Sequence, residues 1–227
     1  MSGKEEILSR APLFEALDQE SAAELRRIVT DVPLTRGQRL FTEGDEGDRL
    51  FVVLDGKIKL SRMASDGREN LVSVLGPGEM FGELSLFDPR PRTMSATAVT
   101  DTRLAALAHD ALRPWITSRP QVAMHLLGAL ARRFRRSNEV MADLVFTDVP
   151  GRVAKALLDL SDRFGQQQHD GIHVNHDLTQ EELAQLVGAS RETVNKALAD
   201  FAGRGWLQIS ARSVLIKEPE RMRRRAQ

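Results

Sequence analysis

The hydrophobic period of this chain changes near residue 120, and that change divides the fold. From 33 to 108 the apolar residues come in brief extended runs closed by turn residues: LFVV before DG at 55 to 56, KIKLSRM before SDG at 65 to 67, LVSVL before GPG at 76 to 78. Many short strands at this spacing predict a β-barrel, roll or sandwich. Beyond Pro120, Leu127, Leu130, Phe134, Ser137, Met141 and Leu144 recur in steps of three and four, which is the seam of one long helix. A seam this regular suits a symmetric partner helix, so a homodimer is expected. A short amphipathic opening carrying Ile7, Leu8, Phe14, Leu17, Leu25 and Ile28 precedes the strands.

The long helix should stop at FTDVPGR, residues 146 to 152, where Asp148 is placed to cap a new helix and Pro150 sits just inside it. An amphipathic helix follows (Val153, Ala156, Leu157, Leu160, Phe164), then a polar loop, DRFGQQQHDG, and a short extended piece, IHVNHD. The stretch LTQEELAQLVGASRETVNKALADFAGRGW holds two helix starts in quick succession. Thr179 with Glu182 fits a capping box, Leu178 and Leu183 a hydrophobic staple, and Ser190 a second cap. Gly188 supplies the turn, Ala184 the close crossing, and Leu183, Val187 and Val194 the shared core, which together make a helix-turn-helix. Arg191 and Glu192, with Lys196 a turn later, then face outward with base-reading chemistry: arginine donates twice to guanine and glutamate accepts from cytosine. WLQIS and SVLIK add a hairpin, giving a winged form. The terminal ERMRRRAQ reads as a short basic tail, either touching phosphates or simply solvated.

A DNA-reading end needs a regulated partner, and FGELSLFDPRPRT at 81 to 93 is the candidate. Gly82 allows close backbone approach, Glu83 can accept from a hydroxyl, and Arg92 can meet a phosphate with its planar fork. Thr93 and the backbone N–H groups of Leu84 and Ser85 complete an anion cradle. An internal ion pair between Glu83 and Arg92 is the competing reading. Ser137 in an apolar seam, with Asn138 after it, places groups able to bond a base edge on the long helix; a register-setting polar residue is the alternative.

Composition excludes other classes. With no cysteine in 227 residues there is no disulfide, thiolate nucleophile or cysteine-held iron–sulfur cluster. The start, MSGKEEILSR, has no apolar run of signal-peptide length, and no stretch approaches the ~18 apolar residues of a membrane span, so a cytoplasmic location without a membrane partner is expected. A net charge of zero decides nothing about nucleic acid, since affinity depends on where the charges lie. His169, His173, His176 and Asp177 need not converge on a metal, and Gly76, Gly78 and Gly82 read as a turn rather than a dinucleotide loop. Arg132, Arg133, Arg135 and Arg136 read as the solvated face of the long helix. A phosphohydrolase would need a metal or a placed base, and the cassette offers neither.

The chain resembles the bacterial cyclic AMP receptor protein family, Crp/Fnr type, over nearly its full length: FGELSLF with PRT as the phosphate cassette, ARRFRRSN in the dimer helix, FTDVPGRVAKALL as the hinge, VGASRETVNKAL as the recognition helix. The resemblance implies an α+β fold: a cyclic-nucleotide-binding β-roll (jelly roll) at 1–118, a dimerisation helix at 119–147 and a winged helix-turn-helix at 148–227. It implies an allosteric ligand, cyclic AMP, and no enzyme. Glu83 would hold the ribose 2′-OH and Arg92 with Thr93 the cyclic phosphate, while Gly82, Leu84 and Ser85 complete the site. Ser137 and Asn138, within one subunit or across the pair, would meet the purine. Ser190, Arg191, Glu192, Thr193 and Lys196 would engage double-stranded DNA with TGTGA-like half-sites, and RNA polymerase becomes an expected partner. Cyclic GMP stays an alternative, since Thr93 can also serve a guanine amino group, as does a different effector or none.

Overall fold

The computed structural model describes residues 7, 8, 11, 14 and 17–227 apart from 66 and 68. Asp66 of the SDG turn and most of the opening MSGKEEILSR therefore lie outside the described residues. In chain order the elements are α1 (Gln19–Arg27), β1 (Thr30–Leu34), β2 (Arg39–Phe41), β3 (Arg49–Asp55), β4 (Ile58–Met63), β5 (Glu69–Leu75), β6 (Met80–Phe81), α2 (Leu84–Phe87), β7 (Ser95–Ala98) and β8 (Thr102–Ala108). There follow α3 (His109–Ser118), α4 (Pro120–Phe146), α5 (Val149–Phe164), β9 (Gly165–Gln168), β10 (Gly171–Asn175), α6 (Gln180–Val187), α7 (Arg191–Gly203), β11 (Leu207–Ile209), β12 (Ser213–Ile216) and α8 (Pro219–Arg225). The chain separates into two compact units, residues 1–69 with 73–135 and residues 70–72 with 136–227, the division falling inside α4.

The first unit is built on two four-stranded sheets, ordered β1-β8-β3-β6 and β2-β7-β4-β5. Strand β3 shows why the roll needs both. Its run LFVVL is buried throughout, yet successive side chains point to opposite faces. Leu50, Val52 and Leu54 enter a core with Leu8, Ala11, Phe14, Leu25, Leu112, Val122 and Leu126, while Phe51 and Val53 enter another between the sheets with Ile58, Leu60, Phe81 and Ala96. Antiparallel β8 splits the same way, Ala105 and Leu107 to the first core and Leu104 and Ala106 to the second. Ile28, read as part of the apolar opening, is the C-cap of α1 and lies at the surface.

Helix α4 keeps its seam uncovered: Phe134 and Met141 are 67% and 58% exposed, and Leu127 and Leu144 are exposed as well. Among its residues, buried Val122 and Leu126 anchor it to the first unit's core.

The second unit packs α5, α6, α7 and α8 on the sheet β11-β12-β10-β9 around one core. Asp148 caps α5, accepting from Gly151 N at 2.9 Å, with Pro150 in the first turn, as the sequence predicted. Of the polar stretch expected to be a loop, Asp162 to Phe164 finish α5, Gly165–Gln168 form strand β9, paired antiparallel with β10, and only His169 and Asp170 turn. All four residues of β9 are exposed, so this edge strand carries no apolar alternation by which a sequence could announce it. The terminal basic residues form helix α8 rather than a free tail, because Met222 and Ala226 bury into the core against α5.

Candidate functional site

The cassette begins where β6 ends. Gly82 turns the chain at φ +81°, and a Cβ there would lie 2.7 Å from Arg92 Nη1 and 3.0 Å from the Arg49 carbonyl oxygen, so glycine is required twice over, for conformation and for space. The chain enters α2 and returns through Pro89 and Pro91 to Arg92. There the backbone N–H donates to Asp45 O at 2.7 Å and the carbonyl accepts from Gly44 N at 2.8 Å. These bonds lock the returning strand onto the β2–β3 loop. Gly47 of that loop seats against the cradle: a Cβ on it would fall 2.2 Å from Ser85 Oγ and 3.1 Å from Arg92 Cζ.

Arg92 is 6% exposed. Its Nη1 donates to Gly82 O at 2.9 Å, its Nη2 to Arg49 O at 2.7 Å, and its guanidinium lies 4.4 Å over the Phe41 ring. Phe41, Phe51 and Phe81 form the aromatic floor, with Phe51 and Phe81 stacked at 5.3 Å. No carboxylate among the described residues pairs with this arginine, and its Nε is buried without a partner. Burial therefore lowers its pKa, with Asp48, Glu83 and Asp45 opposing from a distance; an arginine nonetheless stays charged. The result is a buried cation held by carbonyl oxygens, an arrangement that an anion would complete.

Glu83 does not pair with Arg92, which overturns the internal ion-pair reading. It is 1% exposed, its Oε1 accepts from Arg133 Nη1 at 2.6 Å, and its Oε2 is buried without a partner. Arg133 also reaches the Met80 carbonyl at 3.4 Å. Of the four arginines expected on the solvated face of α4, Arg132, Arg135 and Arg136 are exposed, Arg136 in a surface ion pair with Asp159, and only Arg133 departs, turned to Glu83. Nothing within a few residues of Arg133 marks this role, since its partner lies 50 residues away in the chain. Two further neighbours escaped notice in the sequence, Gly47 and His109. His109 opens α3 at 5% exposure, donates its backbone N–H to Asp48 O at 2.8 Å, and has a buried Nε2 with no partner. Burial first, then the charge of Arg92, lowers its pKa against a hydrogen bond to the Gly82 backbone.

Gly82, Glu83, Ser85 and Arg92 thus converge. Leu84 and Thr93 belong to the same loop with their side chains exposed, and Ser137 and Asn138 are exposed on α4.

In the second unit the helix-turn-helix forms as its caps dictate. Thr179 Oγ1 accepts from Glu182 N at 3.1 Å while Glu182 Oε2 accepts from Thr179 N at 2.8 Å. Gly188 takes the left-handed conformation at φ +68°, and Ser190 Oγ accepts from Thr193 N at 3.2 Å. Val194, Ala197, Leu198 and Phe201 turn α7 inward, leaving Ser190, Arg191, Glu192, Thr193 and Lys196 exposed. Lys196 bonds Glu192 at 2.6 Å across one turn, and Arg191 and Asn195 both reach Gln180 Oε1, at 3.4 and 3.2 Å. Arg152 braces the turn, donating to Thr147, Val187 and Gly188 carbonyls. His176 Nδ1 accepts from Leu178 N at 3.1 Å, and among the described residues no three His, Asp or Glu side chains gather as metal ligands. No described helix is long and apolar enough to cross a membrane.

The cyclic nucleotide-binding domain family matches residues 31–119 and the Crp-like helix-turn-helix domain family residues 151–225. The chain is 56% identical over 222 residues to a CRP-like cAMP-activated global transcriptional regulator of Mycobacterium tuberculosis, covering 98% of this chain and 99% of that one. It is 36% identical over 208 residues to the cyclic AMP receptor protein of Thermus thermophilus, covering 92% and 93%. FixK2 from Bradyrhizobium japonicum has a TM-score of 0.79 over 87% of this chain and 96% of its own, at 22% identity, a likeness of fold. With a nucleotide-binding roll, a long helix and a capped helix-turn-helix in this order, the chain belongs to the Crp family of DNA-binding transcriptional regulators, which are not enzymes.

Proposed function

We propose that this protein is a cyclic AMP-responsive regulator that binds pseudo-palindromic, TGTGA-like operators as a homodimer. Residues 1–118 sense the nucleotide, 119–147 join two subunits along the exposed α4 seam, and 148–227 read DNA. One observation carries the sensing role: Arg92 is a buried cation with no carboxylate partner among the described residues. A cyclic phosphate supplies that missing charge, with Ser85, Thr93 and the N–H groups of Leu84 and Ser85 around it, while the orphaned Glu83 Oε2 accepts from the ribose 2′-OH. Ser137 and Asn138 of α4 meet the purine, so ligand acts on the same helix that joins the dimer. Binding shifts the population towards dimers whose recognition helices stand about 34 Å apart, one turn of DNA. Both relatives above are named for cyclic AMP, which favours adenine over guanine.

Thermal melts of the protein alone, with cyclic AMP and with cyclic GMP test this reading. Ligand at 100 times its dissociation constant adds ~2.7 kcal/mol to the folded state, which moves the midpoint by several degrees. A shift with cyclic AMP alone is expected. A shift with cyclic GMP alone reassigns the effector, and no shift with either removes nucleotide sensing while leaving DNA binding in place.

A further inference from the structure

We infer that the C-terminal helix α8 is a second DNA contact, an arginine row that grips the phosphate backbone beside the recognition helix. This rests on the DNA-binding reading and extends it to residues outside the helix-turn-helix. Residues 136–227 hold thirteen Lys and Arg against thirteen Asp and Glu, so the unit attracts a polyanion only where positive charge gathers on one side. Four of those thirteen lie on α8.

The core fixes how α8 is rotated. Met222 and Ala226 are buried, and at about 100° per residue Arg221, Arg224 and Arg225 fall on one flank while Arg223 falls on the other. Arg225 locates the first flank: its Nη2 donates to Asp148 Oδ2 at 2.5 Å, at the cap of α5. A Cβ on Gly151, in that same opening turn, would lie 3.3 Å from Arg225 Nη1. The next residue, Arg152, reaches Val187 O at 3.1 Å and Gly188 O at 3.2 Å, just before Ser190 starts the recognition helix. A chain of direct contacts thus runs from the arginine flank through the start of α5 to the start of α7.

Arg225 is occupied by Asp148 and Arg223 by Glu220. Arg221 and Arg224 are exposed and enter no ion pair among the described residues. A phosphate diester suits them, since each guanidinium fork can grip two phosphate oxygens.

The test uses full-length protein with saturating cyclic AMP and a fluorescent duplex carrying two TGTGA half-sites extended by about one helical turn, 10 bp, at each end. Binding is followed by anisotropy from about 50 to 200 mM salt. The double variant Arg221→Gln, Arg224→Gln should flatten the slope of log K against log salt by about 0.9 for each phosphate that is no longer neutralised, or roughly 2 to 4 per dimer, with base discrimination unchanged. Arg223→Gln, on the far flank, should keep the wild-type slope. Met222 and Ala226 remain in both variants, and matching melting midpoints report an intact fold. A wild-type slope in the double variant overturns the proposal, as does an equal flattening by Arg223→Gln. A wild-type protein that fails to bind the duplex at any salt overturns the DNA-binding reading and this proposal with it.

Discussion

Replacing Glu83 with Ala separates the ligand role of this carboxylate from its role in the fold. Glu83 is 1% exposed, with one oxygen taken by Arg133 at 2.6 Å and the other buried without a partner. Breaking a fully buried ion pair costs ~3–5 kcal/mol. Here the Arg133 side chain is 39% exposed and can turn to water, so the structural loss should fall well short of that range. A ligand hydroxyl bonded to the free oxygen is a hydrogen bond to a charged group, worth ~1.5–3 kcal/mol. At 1.4 kcal/mol per factor of ten, that is roughly 12- to 150-fold in affinity. Isothermal titration of wild type and variant, each with cyclic AMP and 2′-deoxy cyclic AMP, closes a thermodynamic cycle. The wild type should lose roughly 12- to 150-fold on removal of the hydroxyl. The variant should lose as much with cyclic AMP itself and nothing more with the deoxy analogue. If the variant still prefers cyclic AMP by a factor of about ten, the hydroxyl bonds elsewhere and the assignment is wrong.

Arg92→Ala should abolish the nucleotide-induced shift in melting temperature while the protein stays folded by circular dichroism; a full shift would remove Arg92 from the site. Gly47→Ala puts a methyl 2.2 Å from Ser85 Oγ and 2.6 Å from its Cβ, an overpacking that should cost ~1–3 kcal/mol and weaken nucleotide binding, and wild-type values of both would refute the seating of this loop on the cradle. Arg191→Ala should cost ~1–3 kcal/mol of DNA binding and relax discrimination at one base pair, as read from a panel of single-substituted operators. His109 is held below its ordinary pKa in the fold by burial and by Arg92, so the unfolded chain takes up its proton first as pH falls. The stability it contributes is full above the ordinary histidine value near 6.5 and is lost as pH drops from there towards the lowered folded value. His109→Gln should therefore flatten the pH dependence of the melting midpoint below about pH 6.5, and an unaltered profile would show that this ring does not titrate there.

Local signals carried most of the architecture. The cap at Asp148, the capping box of Thr179 and Glu182, the left-handed Gly188 and the cap at Ser190 each involve partners three or four residues apart, so neighbouring letters suffice to state them. The turns after β3 and β5 and the uncovered seam of α4 were legible for the same reason. Strand β9 was not, because an exposed edge strand of glutamines is specified only by the neighbour it pairs with. The helix α8 was hidden because two buried residues among four arginines look like a tail until α5 is there to bury them.

By itself, then, the sequence determined the turns, the long helix α4, the capped helices α5 to α7 and which residue types gather in the cassette, since those depend on interactions within a few residues. Only the tertiary structure decided what each cassette charge faces. Glu83 meets Arg133 across 50 residues of chain and Arg92 meets the Arg49 carbonyl across 43. Such pairings are set by how sheets and helices stack around a core, which leaves no local trace in the sequence.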